Sequence, residues 1–199
     1  MFERGRSSVL ASVIEPVCGA YEDDRRHEPR RHRGEQPSAP PGSRKHDVHS
    51  LAWHPRVPGH AYEAGGGGAA FSTNGGETWQ PADEGRDRHY TWSVTVDPDD
   101  PDCWYVSAST GPYAAHGRRD PQARIYRRRR GEAWQLLAGG LPDPLPAMPY
   151  ALLATDGRLF AGLANGQLWE SRDQGDSWAP LRLSGDPLDA LVALGYATY

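Results

Sequence analysis

Lysine is nearly missing from this chain of 199 residues: Lys45 stands beside 21 arginines among 22 basic residues. We read that bias as the coding habit of a GC-rich genome and attach no function to it. Cysteine is equally scarce. Cys18 and Cys103 alone exclude a disulfide framework and a cysteine-built metal site. They point instead to free thiols in a reducing, cytoplasmic setting. No run approaches the ~18 apolar residues that a membrane span requires. Arg4 and Arg6 precede a short apolar run, but Ser12, Glu15 and Pro16 interrupt it, which spoils a secretory signal. Helix formers never keep a 3.6-residue period over several turns, so a long helical bundle is excluded. Positive charge is not in excess either. With 22 basic and 26 acidic residues the net charge is −4, which argues against general nucleic-acid affinity.

Turn formers and aromatics are what the chain has. Gly (23) and Pro (18) together make 41 residues, about a fifth of the chain, against a usual ~12%. Seven Trp and nine Tyr supply aromatic mass that belongs in a core. Residues 1–47 differ from the rest. Val9 to Val17 reads as one strand, and the charged, Pro-rich stretch after it lacks the apolar surface needed to offset ordering entropy. We therefore expect a poorly ordered N-terminal segment over 1–47, a possible remnant of a preceding repeat, damaged by a frame error or truncation.

From residue 48 onward the sequence repeats. His49-Ser50-Leu51-Ala52-Trp53-His54-Pro55 aligns without a gap on Trp92-Ser93-Val94-Thr95-Val96-Asp97-Pro98, and each is followed by a second strand carrying Tyr. A tighter third copy runs Tyr150 to Ala161 through the hairpin signal Asp156-Gly157. Each copy continues through a third strand, a Gly-containing turn, a tryptophan and a fourth strand. The three tryptophans, Trp79, Trp134 and Trp178, are 55 and 44 residues apart. Four short antiparallel strands per repeat of this length is the period of a β-propeller blade. The expected fold is all-β: a partial propeller of about three four-stranded antiparallel blades (about 48–83, 90–141 and 149–184) and a stray strand at 189–194. A propeller closes with ~4 or more blades, so three leave open edges through which the chain could self-associate.

Ser171-Arg172-Asp173-Gln174-Gly175-Asp176-Ser177-Trp178 resembles the Asp box, or BNR repeat, with the pattern Ser/Thr-x-Asp-x-Gly-x-Thr/Ser-Trp. Ser72 to Trp79 matches it with Asn74 in the Asp position, followed by Gly76 and Thr78. Arg127 to Trp134 keeps only Gly131 and Trp134, so something other than an acceptor side chain must hold that turn. In this pattern the short acceptor bonds backbone N–H groups across the turn. The Gly supplies a positive φ, and the Trp buries an apolar face. The resemblance covers about 48–194 and implies a sialidase-like or YVTN/BNR-like bacterial propeller. In such a fold the boxes are structural devices on the outer blade edge.

Two functional classes follow. A binding or scaffold module would use the channel mouth, where the segments entering the innermost strands bring His46, Asp47, His49, Arg88, His89, Tyr90 and Tyr150. His46, His49 and His89 are the residues a metal would need there, but solvated histidines are the reading we adopt, with no metal and no cofactor. The insertion Gly111–Pro121, beside Arg127 to Arg130, is a second candidate surface. The alternative is a glycoside-hydrolase-like enzyme. The Arg-Ile-Pro motif of sialidases is absent, and Asp47, Asp87, Asp97 and Asp156 sit in strand turns, where carboxylates are turn formers. Gly65 to Gly68 is a strand-to-strand turn, since no Lys-Ser/Thr follows it. No catalytic residue is assigned. The partner expected is a carbohydrate or a protein, with no nucleic acid and no membrane.

Overall fold

The structure, a computed structural model, describes residues 7–12, 47–117, 120–184 and 187–198. After β1 (Ser7–Ser12), the first sheet holds β2 (Val48–Trp53), β3 (Ala61–Gly65), β4 (Gly68–Ser72) and β5 (Gln80–Pro81). The second holds β6 (Tyr90–Asp97), β7 (Asp100–Ser109), β8 (Arg124–Arg129) and β9 (Gln135–Leu136), with a short helix α1 (Pro112–His116) between β7 and β8. The third holds β10 (Pro149–Thr155), β11 (Arg158–Leu163), β12 (Leu168–Ser171) and β13 (Ala179–Leu181). All three are antiparallel and strictly sequential, as the repeats predict. At the expected hairpin Asp156 (φ 45) and Gly157 (φ 70) both adopt left-handed backbone, which matches the right-handed twist of the flanking strands.

One expected boundary is corrected. The last strand, β14, runs Ala193–Thr198 rather than 189–194. Leu191 is instead packed under the third sheet, its N–H donating to the Leu163 carbonyl at 3.0 Å, and the strand begins only beyond it. Within 1–47, where the sequence reads a strand over Val9 to Val17, β1 pairs antiparallel with β14 from Ser7–Thr198 to Ser12–Ala193. The chain's beginning and end thus form a two-stranded fourth sheet. The rest of the suspected N-terminal blade, including the 24–35 stretch, lies outside the described residues.

The first strands of the sheets, β2, β6 and β10, together with β14, are neighbours at the centre of the molecule. Each is an edge strand whose free N–H groups need acceptors. The preceding sheet supplies them: Val94 N–H donates to Ser50 Oγ (3.4 Å), Leu152 N–H to Ser93 Oγ (3.0 Å) and Ala154 N–H to Thr95 Oγ1 (3.1 Å). Ser50 and Ser93 are the same position in the repeat. Apolar layers fill the spaces between sheets. Tyr62, Trp104, Val106 and Tyr126 lie between the first and second. Tyr105, Ile125, Leu159 and Leu163 lie between the second and third, and Phe160, Leu168 and Leu191 between the third sheet and β14. On the opposite flank of the first sheet Leu51 is 54% exposed, whereas Val94, its repeat equivalent, is 5% exposed beneath the first sheet.

The outer corners carry the tryptophans. Ser72 Oγ accepts from Gly76 N–H (2.9 Å) and Asn74 Oδ1 from Thr78 N–H (3.0 Å). Ser171 Oγ accepts from Gly175 N–H (2.8 Å) and Asp173 Oδ1 from Ser177 N–H (2.8 Å), the same pair of bonds. Hydrogen bonds from the Ser177 hydroxyl and N–H and from Ser171 hold the Asp173 carboxyl down at about 2. The middle turn departs from the sequence alignment. Arg127 pairs with Gln135, where Phe71 pairs with Gln80 and Glu170 with Ala179, so this turn is one residue shorter. Arg128, not Arg127, therefore takes the serine place. Its guanidinium donates to the carbonyls of Glu132 (3.0 Å) and Gly131 (3.1 Å) and lies 5.3 Å from the Phe71 ring centroid. Arg127 reaches the third sheet, donating to Gln174 O at 2.7 Å and pairing with Asp176 at 2.8 Å.

Each later tryptophan docks on the connector of the sheet before it. Trp134 donates from its backbone to Glu84 O (2.8 Å) and from Nε1 to Ala82 O (2.7 Å). Trp178 donates from its backbone to Gly139 O (2.7 Å). Gly85 (φ +91) and Gly140 (φ +89) face these docked backbones, and a Cβ on either would stand 2.7 Å from a tryptophan carbonyl oxygen. Gly140→Ala is expected to destabilise the protein by more than ~1 kcal/mol, since it adds left-handed strain to a backbone clash. Trp178→Ala should cost about 3–5 kcal/mol. Urea midpoints measure both, and a Gly140→Ala midpoint equal to wild type would show that the corner does not need this close approach.

Candidate functional site

The entries to the innermost strands meet at one end of the central space. Trp92, from β6, stands in the middle: the His49 ring from β2 stacks on it at 4.3 Å, Tyr150 from β10 lies at 5.3 Å, and His116 from α1 approaches edge-on at 4.6 Å. These four side chains, with Ser50, Ser93 and the turn into β14 at Val192, line a cavity of about 530 Å³. Three sheets and the closing strand therefore share one mouth.

Hydrogen bonding orders the rings. The Thr91 carbonyl can only accept, so His49 donates to it from Nδ1 at 2.6 Å. His49 Nε2 then faces Asp47 Oδ2 at 3.2 Å and the Tyr90 hydroxyl at 3.3 Å. The closer partner of Tyr90 is His116 Nε2 at 2.9 Å, and His116 Nδ1 lies 3.0 Å from the Tyr150 hydroxyl, which donates to Ala115 O. A consistent relay follows: Tyr90 donates to His116, His116 to Tyr150, and Tyr150 to the backbone. It requires a neutral His116. Burial, followed by the neighbouring His49, lowers the pKa of His116 below the ordinary 6.5, while burial raises those of Tyr90 and Tyr150. All three thus stay uncharged near neutral pH.

Of the residues expected at the mouth, His49, Tyr90 and Tyr150 come together, with Asp47 beside them in left-handed backbone (φ 73). His46 lies outside the described residues. Arg88 turns away, donating to Gln122 O at 3.0 Å and to Asp87 at 2.7 Å, and His89 is exposed. The suggested meeting of histidines around a metal does not form from His49 and His89, and among the described residues no three His, Cys, Asp or Glu side chains are placed to hold one. His116 was legible only as part of a long insertion. That insertion and the mouth are one site, because α1 lays His116 against Trp92. Asp97 is a turn former, accepting from Asp99 N–H at 2.9 Å, and it also accepts from Gln174 of the third sheet at 2.9 Å. The residues of the corner turns, from Ser72 to Trp79, Gly131 to Trp134 and Ser171 to Trp178, lie at the far ends of their sheets' third and fourth strands, away from the mouth.

The depressed His116 pKa carries a sign. The folded state resists protonating this ring more than the unfolded chain does, so its contribution to stability is complete above 6.5 and is lost as pH falls toward the folded value. His116→Asn should flatten that part of the acid-side decline in Tm between about pH 7 and pH 5. In an NMR titration the wild-type His116 midpoint should lie below 6.5; a midpoint above it would refute the relay.

No protein-family model matches the chain, and no curated protein matches it in sequence. Solved structures do. The GH74 xyloglucanase of Xanthomonas campestris is 26% identical, with a TM-score of 0.51, over 67% of this chain and 20% of its own. An ancestral GH74 enzyme is 16% identical with a TM-score of 0.52, over 70% and 19%. YCF48 bound to D1 peptide is 16% identical with a TM-score of 0.50, over 67% and 40%. This chain thus spans about a fifth of either enzyme and two fifths of YCF48. Its fold is that of a β-propeller, with three four-stranded blades and, among the described residues, a two-stranded fourth sheet.

Proposed function

We propose that this chain is a non-catalytic binding module of the Asp-box, BNR-repeat type, and that it takes an uncharged ligand against Trp92, Tyr150, His49 and His116 at the channel mouth. The repeat assignment is supported by the bond pattern shared by the Ser72–Trp79 and Ser171–Trp178 turns. One observation carries the functional reading: among the described residues, four aromatic rings line the cavity and no carboxylate does. Aromatic faces offer dispersion and a negative quadrupole to C–H-rich or polar planar groups. A glycosidase needs two carboxyl groups about 5–9.5 Å apart across its cleft. Among the described residues, the carboxylate in contact with this cluster is that of Asp47, through His49. The ligand class that fits is a carbohydrate ring or an uncharged peptide side chain. No helix among the described residues is long and apolar enough to cross a membrane.

A second reading is favoured by the 26% identity to the xyloglucanase: a glycoside-hydrolase-like chain whose second carboxylate comes from elsewhere. A glycan array and a panel of fluorogenic glycosides separate the two. The binding reading expects capture without turnover. It also expects Trp92→Ala and Tyr150→Ala each to weaken capture about tenfold, on the order of 1.4 kcal/mol. Turnover abolished by a single Asp→Asn change would establish the enzyme instead.

A further inference from the structure

The corner that docks between successive sheets has a socket, and among the described residues no corner fills the socket of the third sheet. Repeat register defines it. Ala82, Leu137 and Leu181 each follow the fourth-strand pairing at the same position: Ala82 N–H donates to Ala69 O, Leu137 N–H to Ile125 O, and Leu181 pairs with Leu168. Ala82 and Leu137 are buried, and the corners carrying Trp134 and Trp178 cover them. Two residues further on, the carbonyls of Glu84 and Gly139 accept the backbone N–H of those tryptophans. In the third sheet the corresponding residues are Leu181, which is half-exposed, and Leu183, which is 36% exposed. They border a cavity of about 560 Å³ that Leu168, Pro180 and Leu188 help to line. This cavity continues the apolar layer already formed between the third sheet and β14 by Leu168, Leu181 and Leu188.

The fourth sheet explains why the socket is open. Among the described residues it has the two inner strands, β14 and β1, and no outer hairpin. β1 ends it with a backbone edge that can accept another strand. The chain has no tryptophan between Ser12 and Val48, so that stretch cannot provide a tryptophan corner. We infer that the cavity bordered by Leu181 and Leu183 is a docking site for a β-hairpin of another polypeptide. That hairpin extends the β14–β1 sheet along the outer edge of β1, which carries no strand among the described residues. It seats a tryptophan on Leu181 and bonds that residue's N–H to the Leu183 carbonyl.

The probe is a synthetic peptide copying Leu168–Leu181, the hairpin that fills the equivalent socket on the second sheet. Calorimetry on the full chain should show one peptide bound per chain. A peptide carrying Trp178→Ala should bind at least tenfold more weakly, and so should the wild-type peptide on a Leu183→Asp chain whose melting temperature is unchanged. Trp92→Ala in the chain should leave this affinity unaltered, since the mouth is a different site. Absence of binding, equal affinity of the Trp178→Ala peptide, or loss of binding with Trp92→Ala would each overturn the inference. Should Leu183→Asp disturb folding, the peptide pair still decides, because it changes the ligand alone. Light scattering adds one more arm: a stable dimer of the chain without peptide would mean that a second copy fills the socket, and the inference would fail.

Discussion

A four-stranded sheet with two apolar faces is not stable by itself, and the structure rests on how one such sheet seats the next. The seat is the tryptophan corner. Within its own sheet the corner is closed in the first and third sheets by Ser–Asn or Ser–Asp side chains that accept N–H groups across the turn, and in the second by Arg128, which donates to its carbonyls. Between sheets the same corner gives its tryptophan N–H to a carbonyl of the preceding connector. Turn and stack are therefore one event. The close approach leaves no room for a side chain at Gly85 or Gly140. Without it the aromatic layers of Tyr62, Trp104 and Tyr126, and of Tyr105 and Ile125, would have only one wall.

The second constraint lies at the centre. Innermost strands are edges, and an edge with unanswered N–H groups is an invitation to aggregate. Ser50, Ser93 and Thr95 answer them from the neighbouring sheet, which also fixes the angle at which each sheet leaves the axis. That angle brings the strand entries together. Trp92 meets His49 and Tyr150 because three successive sheets present the same repeat position to one mouth, and α1 adds His116. The binding surface is thus a by-product of stacking, and its rings are ordered by hydrogen bonds.

Much of the architecture was legible. Three copies of strand, turn and strand, with Asp156-Gly157 as a hairpin and three tryptophans at repeat spacing, suffice to predict sequential four-stranded sheets. The corner pattern predicted which side chains would hold the first and third turns, and that the middle one needed another solution. It did not show that Arg128 is that solution, since ladder register decides which arginine faces its own turn and which faces the next sheet. At the mouth, His49, Tyr90 and Tyr150 were legible because strand entries in a propeller share an end. Arg88 and His89 lie in the connector ahead of β6, where Arg88 bonds Gln122 and Asp87 and His89 is exposed, and no local pattern sets the path of that connector. His116 was hidden in an insertion whose path no local pattern reveals.

What the sequence by itself determined is local: turn chemistry, strand period, and the number of repeats, all set by interactions between residues a few positions apart. The pairing of β1 with β14 joins residues from opposite ends of the chain, and no periodicity links them. The same holds for the relay through Tyr90, His116 and Tyr150, and for the open socket at Leu181. These were decided only by the tertiary structure, because each depends on the relative placement of whole sheets. That placement follows from packing between faces, which a linear pattern announces as apolar but does not match to a partner.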